Sequence, residues 1–245
     1  MLKMVVNLKH KNFSRDSSSD STRVEISTSK TECRIRASNL NVHSMPIDSK
    51  FDLDLREGSK LLVTSGNAAA RNTTLRTLVG LLPPAKGKVE VTGEIFVGLN
   101  PNFGIFRKAS LLENIRHRGI LLGCNKKQQK QYLESVLSCD GIEAHIDQVF
   151  SELSVEDRVA FHYATLKDVQ PEILCIESWV ASPNREQDKL IKSLFHDLVE
   201  RSSIALLGVK NPILTNELDV EELNLGVVTN ANCKVDSKLV DLADK

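Results

Sequence analysis

Residues 61–82 run from an apolar stretch, Leu61-Leu62-Val63, through Gly66-Asn67-Ala68-Ala69-Ala70-Arg71-Asn72-Thr73-Thr74 into a second apolar stretch from Leu75 to Leu82. The order strand, loop, helix, with this spacing, is that of a phosphate-binding loop, and it commits the chain to an α/β core. The standard loop is Gly, four residues, then Gly-Lys-Ser/Thr. Its glycine-rich turn aims backbone N–H groups at phosphate, and its lysine neutralises the charge. Gly66 and the hydroxyl of Thr73 keep their places, but Arg71 stands where the second glycine belongs and Asn72 where the lysine belongs. Losing a cation about 4 Å from phosphate forfeits on the order of 4 kcal/mol at an effective dielectric of 20. That is roughly a thousandfold in rate if the cation acted only on the transition state. Two readings stay open. Either Arg71 supplies a substitute charge, at the cost of a Cβ where close backbone approach favours glycine, and nucleotide binding is weak, or the loop is vestigial.

With 32 basic and 32 acidic side chains the chain carries no net charge, so no global field favours nucleic acid. Apolar runs such as Ile204 to Val209 are of strand length, short of the roughly 18 residues of a membrane-spanning helix. Met1 to Phe13 lacks the apolar core and cleavage site of a signal peptide. The five cysteines are scattered without metal-ligand spacing, as expected of reduced thiols in a cytosolic protein.

Along the chain, Met4-Val5-Val6 reads as a short edge strand and Ser14 to Thr22 as a polar linker. Residues 1–32 therefore form an extension ahead of a domain spanning 33–230. Arg23 to Ser27, Cys33 to Ala37 and Phe51 to Leu55 alternate as half-buried strands of an antiparallel sheet. Lys60 to Val63 reads as a strand buried on both faces. Val89-Glu90-Val91 and Ile95-Phe96-Val97 flank Thr92-Gly93-Glu94 as a hairpin would. Three helices follow, the first opened by the capping box Ser110-Leu111-Leu112-Glu113 and ended by Gly123, the second over Lys126 to Leu137, the third over Ser154 to Leu166. They make a helical insertion over about 104–167. Strands at Pro171 to Ser178, Ile204 to Val209 and Leu223 to Val228, with a helix from Arg185 to Glu200, restore the α/β alternation of a parallel sheet. Residues 231–245 are a polar tail.

The stretch Leu75-Arg76-Thr77-Leu78-Val79-Gly80-Leu81-Leu82-Pro83, followed by Gly87-Lys88-Val89-Glu90-Val91-Thr92-Gly93, resembles the nucleotide-binding domain of ABC transporters. Ser110-Leu111-Leu112-Glu113-Asn114-Ile115, Gly119 to Gly123 and Lys126-Lys127 are similar to the subfamily that energises export of polysaccharide, O-antigen and teichoic acid. The resemblance covers roughly Cys33 to Val228. It implies a P-loop NTPase (RecA-like) ABC core with an antiparallel β subdomain and a helical subdomain. It further implies ATP and Mg²⁺ as cofactors, a membrane-spanning permease as partner, a homodimer or heterodimer with another nucleotide-binding domain, and a cytoplasmic location, peripheral at the inner face of the cell membrane.

Carried onto this chain, the resemblance puts nucleotide contacts on Gly66, Asn67, Ala68, Ala69, Ala70, Arg71, Asn72, Thr73 and Thr74, and Mg²⁺ on Thr73 and Glu177. Glu177 takes the place of the metal-holding Asp of the second nucleotide motif, and Ser178 that of the glutamate that polarises water. A neutral serine has no carboxylate for that task. The signature glycine falls on Ser154, the switch histidine on Gly208-Val209, the loop aspartate near Asn184, and the adenine-stacking aromatic near Val42-His43. Trp179, the single tryptophan, reads as a packing residue, and Lys126, Lys127 and Lys130 as a solvated helix face. Two functions follow: an exporter subunit deficient in hydrolysis, binding MgATP weakly or not at all, or a non-catalytic regulatory or scaffold module that keeps the fold without nucleotide.

Overall fold

A computed structural model describes residues 32–43, 50–99, 104–177, 186–208, 218–225 and 233–234. The expected strand at Arg23 to Ser27, and Ser178, Trp179, Asn184 and Val209, lie outside the described residues. Two sheets form the frame. Strands β1 (Arg34–Asn41), β2 (Phe51–Arg56) and β4 (Lys86–Thr92) build the antiparallel part of the first, in the order β4-β1-β2, with a fourth strand beside β2. Alternation sets its faces: Phe51, Leu53 and Leu55 are buried while Asp52, Asp54 and Arg56 point out. The fourth member is β9 (Cys233–Lys234), which runs parallel to β2 with Phe51 opposite Cys233, so part of the expected polar tail joins the sheet edge.

The second sheet is wholly parallel, in the order β5-β6-β7-β3-β8, from β3 (Lys60–Thr64), β5 (Ile95–Gly98), β6 (Ile173–Glu177), β7 (Ile204–Gly208) and β8 (Glu221–Asn224). Ile173 to Ile176 and Ile204 to Gly208 are buried at every position, which is what unbroken apolar runs give when layers cover both faces. One side of this sheet closes against the antiparallel sheet and α1 (Ala68–Leu78) through Ile35, Leu40, Leu55, Leu61, Leu75 and Leu78. The other carries α5 (Glu186–Glu200), whose Ile191, Leu194, Phe195, Leu198 and Val199 repeat at helical spacing and face Leu174, Ile176 and Leu207.

The expected hairpin around Gly93 is not formed. β4 pairs with β1 in the first sheet and β5 with β6 in the second. Gly93, at φ 123°, turns the chain between them, and Glu172 accepts the next N–H, that of Glu94, at 2.7 Å. A side chain at Gly93 would meet the Cys33 sulfur at 2.9 Å. Alternation marks both segments as strands but carries no record of their partners.

Helices α2 (Leu111–Leu121), α3 (Lys126–Leu137) and α4 (Val155–Ala164) form the helical layer. Ser110 and Glu113 make the expected capping box, and Asn125 with Gln128 makes a second at the start of α3. Between α3 and α4 the chain makes two 3₁₀ turns, Glu143–His145 and Phe150–Glu152. Tyr132, Phe150, Phe161 and Tyr163 fill the interior of this layer.

Candidate functional site

The loop region sits at the C-terminal end of β3, beside the ends of β6 and β7, where parallel sheets place ligands. Its backbone differs from the expected open loop. Helix α1 begins at Ala68, so Ala68, Ala69, Ala70, Arg71, Asn72, Thr73 and Thr74 are helical. Three consecutive alanines favour helix, and Asn67 caps it: its Oδ1 accepts the N–H of Ala69 at 2.9 Å and of Ala70 at 3.4 Å. The Arg71 N–H donates to the Asn67 carbonyl at 3.1 Å, and the Asn67 N–H to the Ser65 hydroxyl at 3.1 Å. Gly66 is outside the left-handed region, and a Cβ there would meet nothing within 4 Å. The turn does not depend on glycine. Thr74 donates its hydroxyl to the Ala70 carbonyl at 3.0 Å, and Thr73 is half-buried.

Arg71 is turned towards the end of β6. Its side chain is buried, and its Nε donates to Glu177 Oε1 at 3.0 Å while its Nη2 makes a close ion pair with the same oxygen. Nη1 lies 3.4 Å from the Ser65 carbonyl, and the Asn72 amide donates to Glu177 Oε2 at 3.4 Å. Both oxygens of Glu177 are thus accepting from α1. Gly208, next to Glu177 across the β6–β7 ladder, lies beneath the guanidinium arm. A Cβ there would come within 3.4 and 3.5 Å of Arg71 Cδ and Nε, and within 2.6 Å of Leu75 Cδ1. Three positions at which the sequence departs from the expected pattern, 71, 177 and 208, touch one another.

The signature position is equally engaged. Ser154 caps α4, accepting the Asp157 N–H at 3.0 Å and donating to Asp157 Oδ2 at 2.6 Å, with Glu156 and Asp157 both in the first turn. A helix start already capped and flanked by carboxylates disfavours a second anion. His43 is exposed on a loop, and Lys126, Lys127 and Lys130 are exposed, with Lys130 3.8 Å from Glu134. The described residues hold no group of three or more His, Cys, Asp or Glu able to bind a metal. None of their helices is long and apolar enough to cross a membrane.

Two polar features of the helical layer are absent from the sequence reading. Asn114 is fully buried and ties the segment before α2 to the helix, accepting from the Phe106 N–H at 2.7 Å and donating to the carbonyls of Phe106 and Ser110 at 3.0 and 2.9 Å. Arg118, also buried, reaches across to α4, and since guanidinium only donates, His162 Nδ1 accepts at 3.0 Å. Burial lowers the basicity of Arg118. Their signal is available only as polar residues on an apolar helix face.

The two-sheet frame with a helical layer is the fold of the ABC ATPases. An ABC transporter ATP-binding protein of Pyrococcus furiosus superposes with a TM-score of 0.58 at 22% identity, covering 78% of this chain and 97% of its own. No protein-family model matches the sequence. Among curated relatives, the chain is 24% identical over 168 residues to the O-antigen export system ATP-binding protein RfbB of Klebsiella pneumoniae, covering 68% of this chain and 66% of the relative. It is 21% identical over 159 residues to the teichoic acids export ATP-binding protein TagH of Lactococcus lactis, covering 64% and 34%. The chain therefore spans less than two thirds of the length of these two relatives.

Proposed function

We propose that this chain is the ABC-type subunit of an exporter of cell-surface polysaccharide, held at the inner face of the membrane by a permease through its helical layer. In this reading it binds MgATP weakly or not at all and does not hydrolyse it. The export role is supported by the likeness to the O-antigen and teichoic-acid ATP-binding proteins. The catalytic deficit is carried by one observation: Glu177, the acid in the metal-holding place, is paired with Arg71 and Asn72.

The residues do not fit MgATP. The N–H groups of Ala69 and Ala70 that would meet phosphate are taken by Asn67, position 72 carries no cation, and a divalent ion at Glu177 would meet a guanidinium. Seating the nucleotide would require opening the cap on the first turn of α1, at about 1 kcal/mol, and separating a buried ion pair. The same misfit supports the second reading, a scaffold or regulatory module without nucleotide. A dimer with another nucleotide-binding domain then has to be held by protein contacts.

Phosphate release from the purified chain with MgATP tests the deficit, and the expected result is background turnover. Turnover at the rate of a working ABC ATPase, abolished by Thr73→Ala, overturns it. Co-purification of the tagged chain with a permease encoded beside it tests the export role.

A further inference from the structure

The residues at 71, 72, 177 and 208 deviate together, and they fit together. An arginine in the first turn of α1 reaches the end of β6 only by crossing the end of β7, and it crosses at the one residue there without a side chain, Gly208. It arrives at a glutamate whose second oxygen takes the neutral amide of Asn72. Its remaining nitrogen turns back to the Ser65 carbonyl, the residue that also holds the Asn67 cap.

We propose that Arg71 is a built-in ligand of this cleft: seated on Gly208 and paired with Glu177, it clamps α1 to the ends of β6 and β7 and does structurally what a bound nucleotide and its metal do elsewhere. The clamp rests on the reading that the cleft holds no nucleotide. It makes the conformation of the loop, α1 and β6 independent of ATP, so any partner meeting this face meets one constant surface. Arg71 is a positioning residue that packs over Gly208. Since an unpaired guanidinium or carboxylate at this depth is costly, the two halves of the pair depend on each other.

A double-mutant cycle on the full chain tests this, with Arg71→Met, Glu177→Gln and the double variant, read by urea unfolding and by hydrogen exchange of residues 67–72. Each single change is expected to lower the folded-to-unfolded ratio at least tenfold and to speed exchange at 67–72. The double is expected to fall no further than the worse single. Losses that multiply in the double variant overturn the clamp, whatever the behaviour with nucleotide. If Arg71→Met fails to fold, Arg71→Lys, which keeps the charge but not the two-nitrogen hold, closes the same cycle with the same criteria. Millimolar MgATP is added to the parent protein as a separate arm: an unchanged melting temperature is expected. A rise in it overturns the nucleotide-free reading, a failure distinct from additivity in the cycle.

Discussion

Replacing Arg71 by Gly and Asn72 by Lys together restores the sequence of a working phosphate loop, and the structure sets what this recovers. A lysine about 4 Å from phosphate contributes up to about 4 kcal/mol at an effective dielectric of 20. Reopening the first turn of α1 breaks the Asn67 cap over Ala69 and Ala70, at about 1 kcal/mol, in the parent and the variant alike. The introduced lysine also begins beside Glu177, since the Asn72 amide is already 3.4 Å from Oε2, and it has to leave that carboxylate to meet phosphate. The introduced glycine works in the same direction as binding, because glycine in a helix costs roughly 1 kcal/mol and favours the open turn. Only the parent must also separate the Arg71–Glu177 pair, so the net expectation is a gain of at least about tenfold in ATP affinity, without hydrolysis, because a serine at 178 offers no carboxylate to activate water. Isothermal calorimetry measures the first and phosphate release the second. No gain in affinity would refute the argument that the loop is closed by its own side chains and would place the fault in the path of the backbone. Turnover would show that a group other than the residue at 178 activates water.

Asn114→Ala, which removes the side-chain partner of the Phe106 N–H and of the Phe106 and Ser110 carbonyls, is expected to destabilise the fold by about 1–3 kcal/mol in urea unfolding. The hydrogen bond from Arg34, assisted by Arg56, holds the carboxyl of Asp54 down to about 2 from an ordinary 3.8. Because the folded value is the lower one, this pairing stabilises above pH 3.8 and its contribution disappears as pH falls through about 2. Asp54→Asn should therefore flatten the acid-side loss of stability in that window, and an unchanged profile counts against the pairing. Sedimentation with and without MgATP should give the same oligomeric state, because Ser154, Glu156 and Asp157 leave no anion site at the start of α4; a dimer formed only with ATP refutes this.

The strands and helices are legible because burial writes its period into the sequence. Phe51-Asp52-Leu53-Asp54-Leu55 can be read as one face of a sheet, and Ser110 with Glu113 as a helix start, without any partner being known. What escapes is non-local. The segments around Gly93 have strand character, but the choice between pairing with each other and joining separate sheets is made by β1 and β6, far away in the chain. The site shows the same division. Arg71 is recognisable as a cation near the phosphate position, yet its direction depends on Glu177 and Gly208, more than 100 residues later. Spacing locates a side chain on its own helix. It says nothing of what lies across the sheet.

That dependence yields a sharper test than restoring the loop as a whole. A buried guanidinium needs a carboxylate, so Arg71 requires an acid at 177, and the longer glutamate, in place of the aspartate expected there, extends that acid towards α1. With Arg71 in place, a lysine next to it would set a second cation against the same carboxylate, where the neutral Asn72 amide instead completes its hydrogen bonding. Asn72 is then the residue compatible with the clamp and not simply a lost lysine. The single change Asn72→Lys, which restores the most conspicuous missing part, should give no gain in ATP affinity and should lower stability by on the order of 1 kcal/mol, since one carboxylate faces two cations. The same lysine with Arg71→Gly should gain affinity. Calorimetry and urea unfolding on the two variants separate the cases: if Asn72→Lys alone binds ATP as well as the double variant, Arg71 does not block the site, and the clamp is not what closes it.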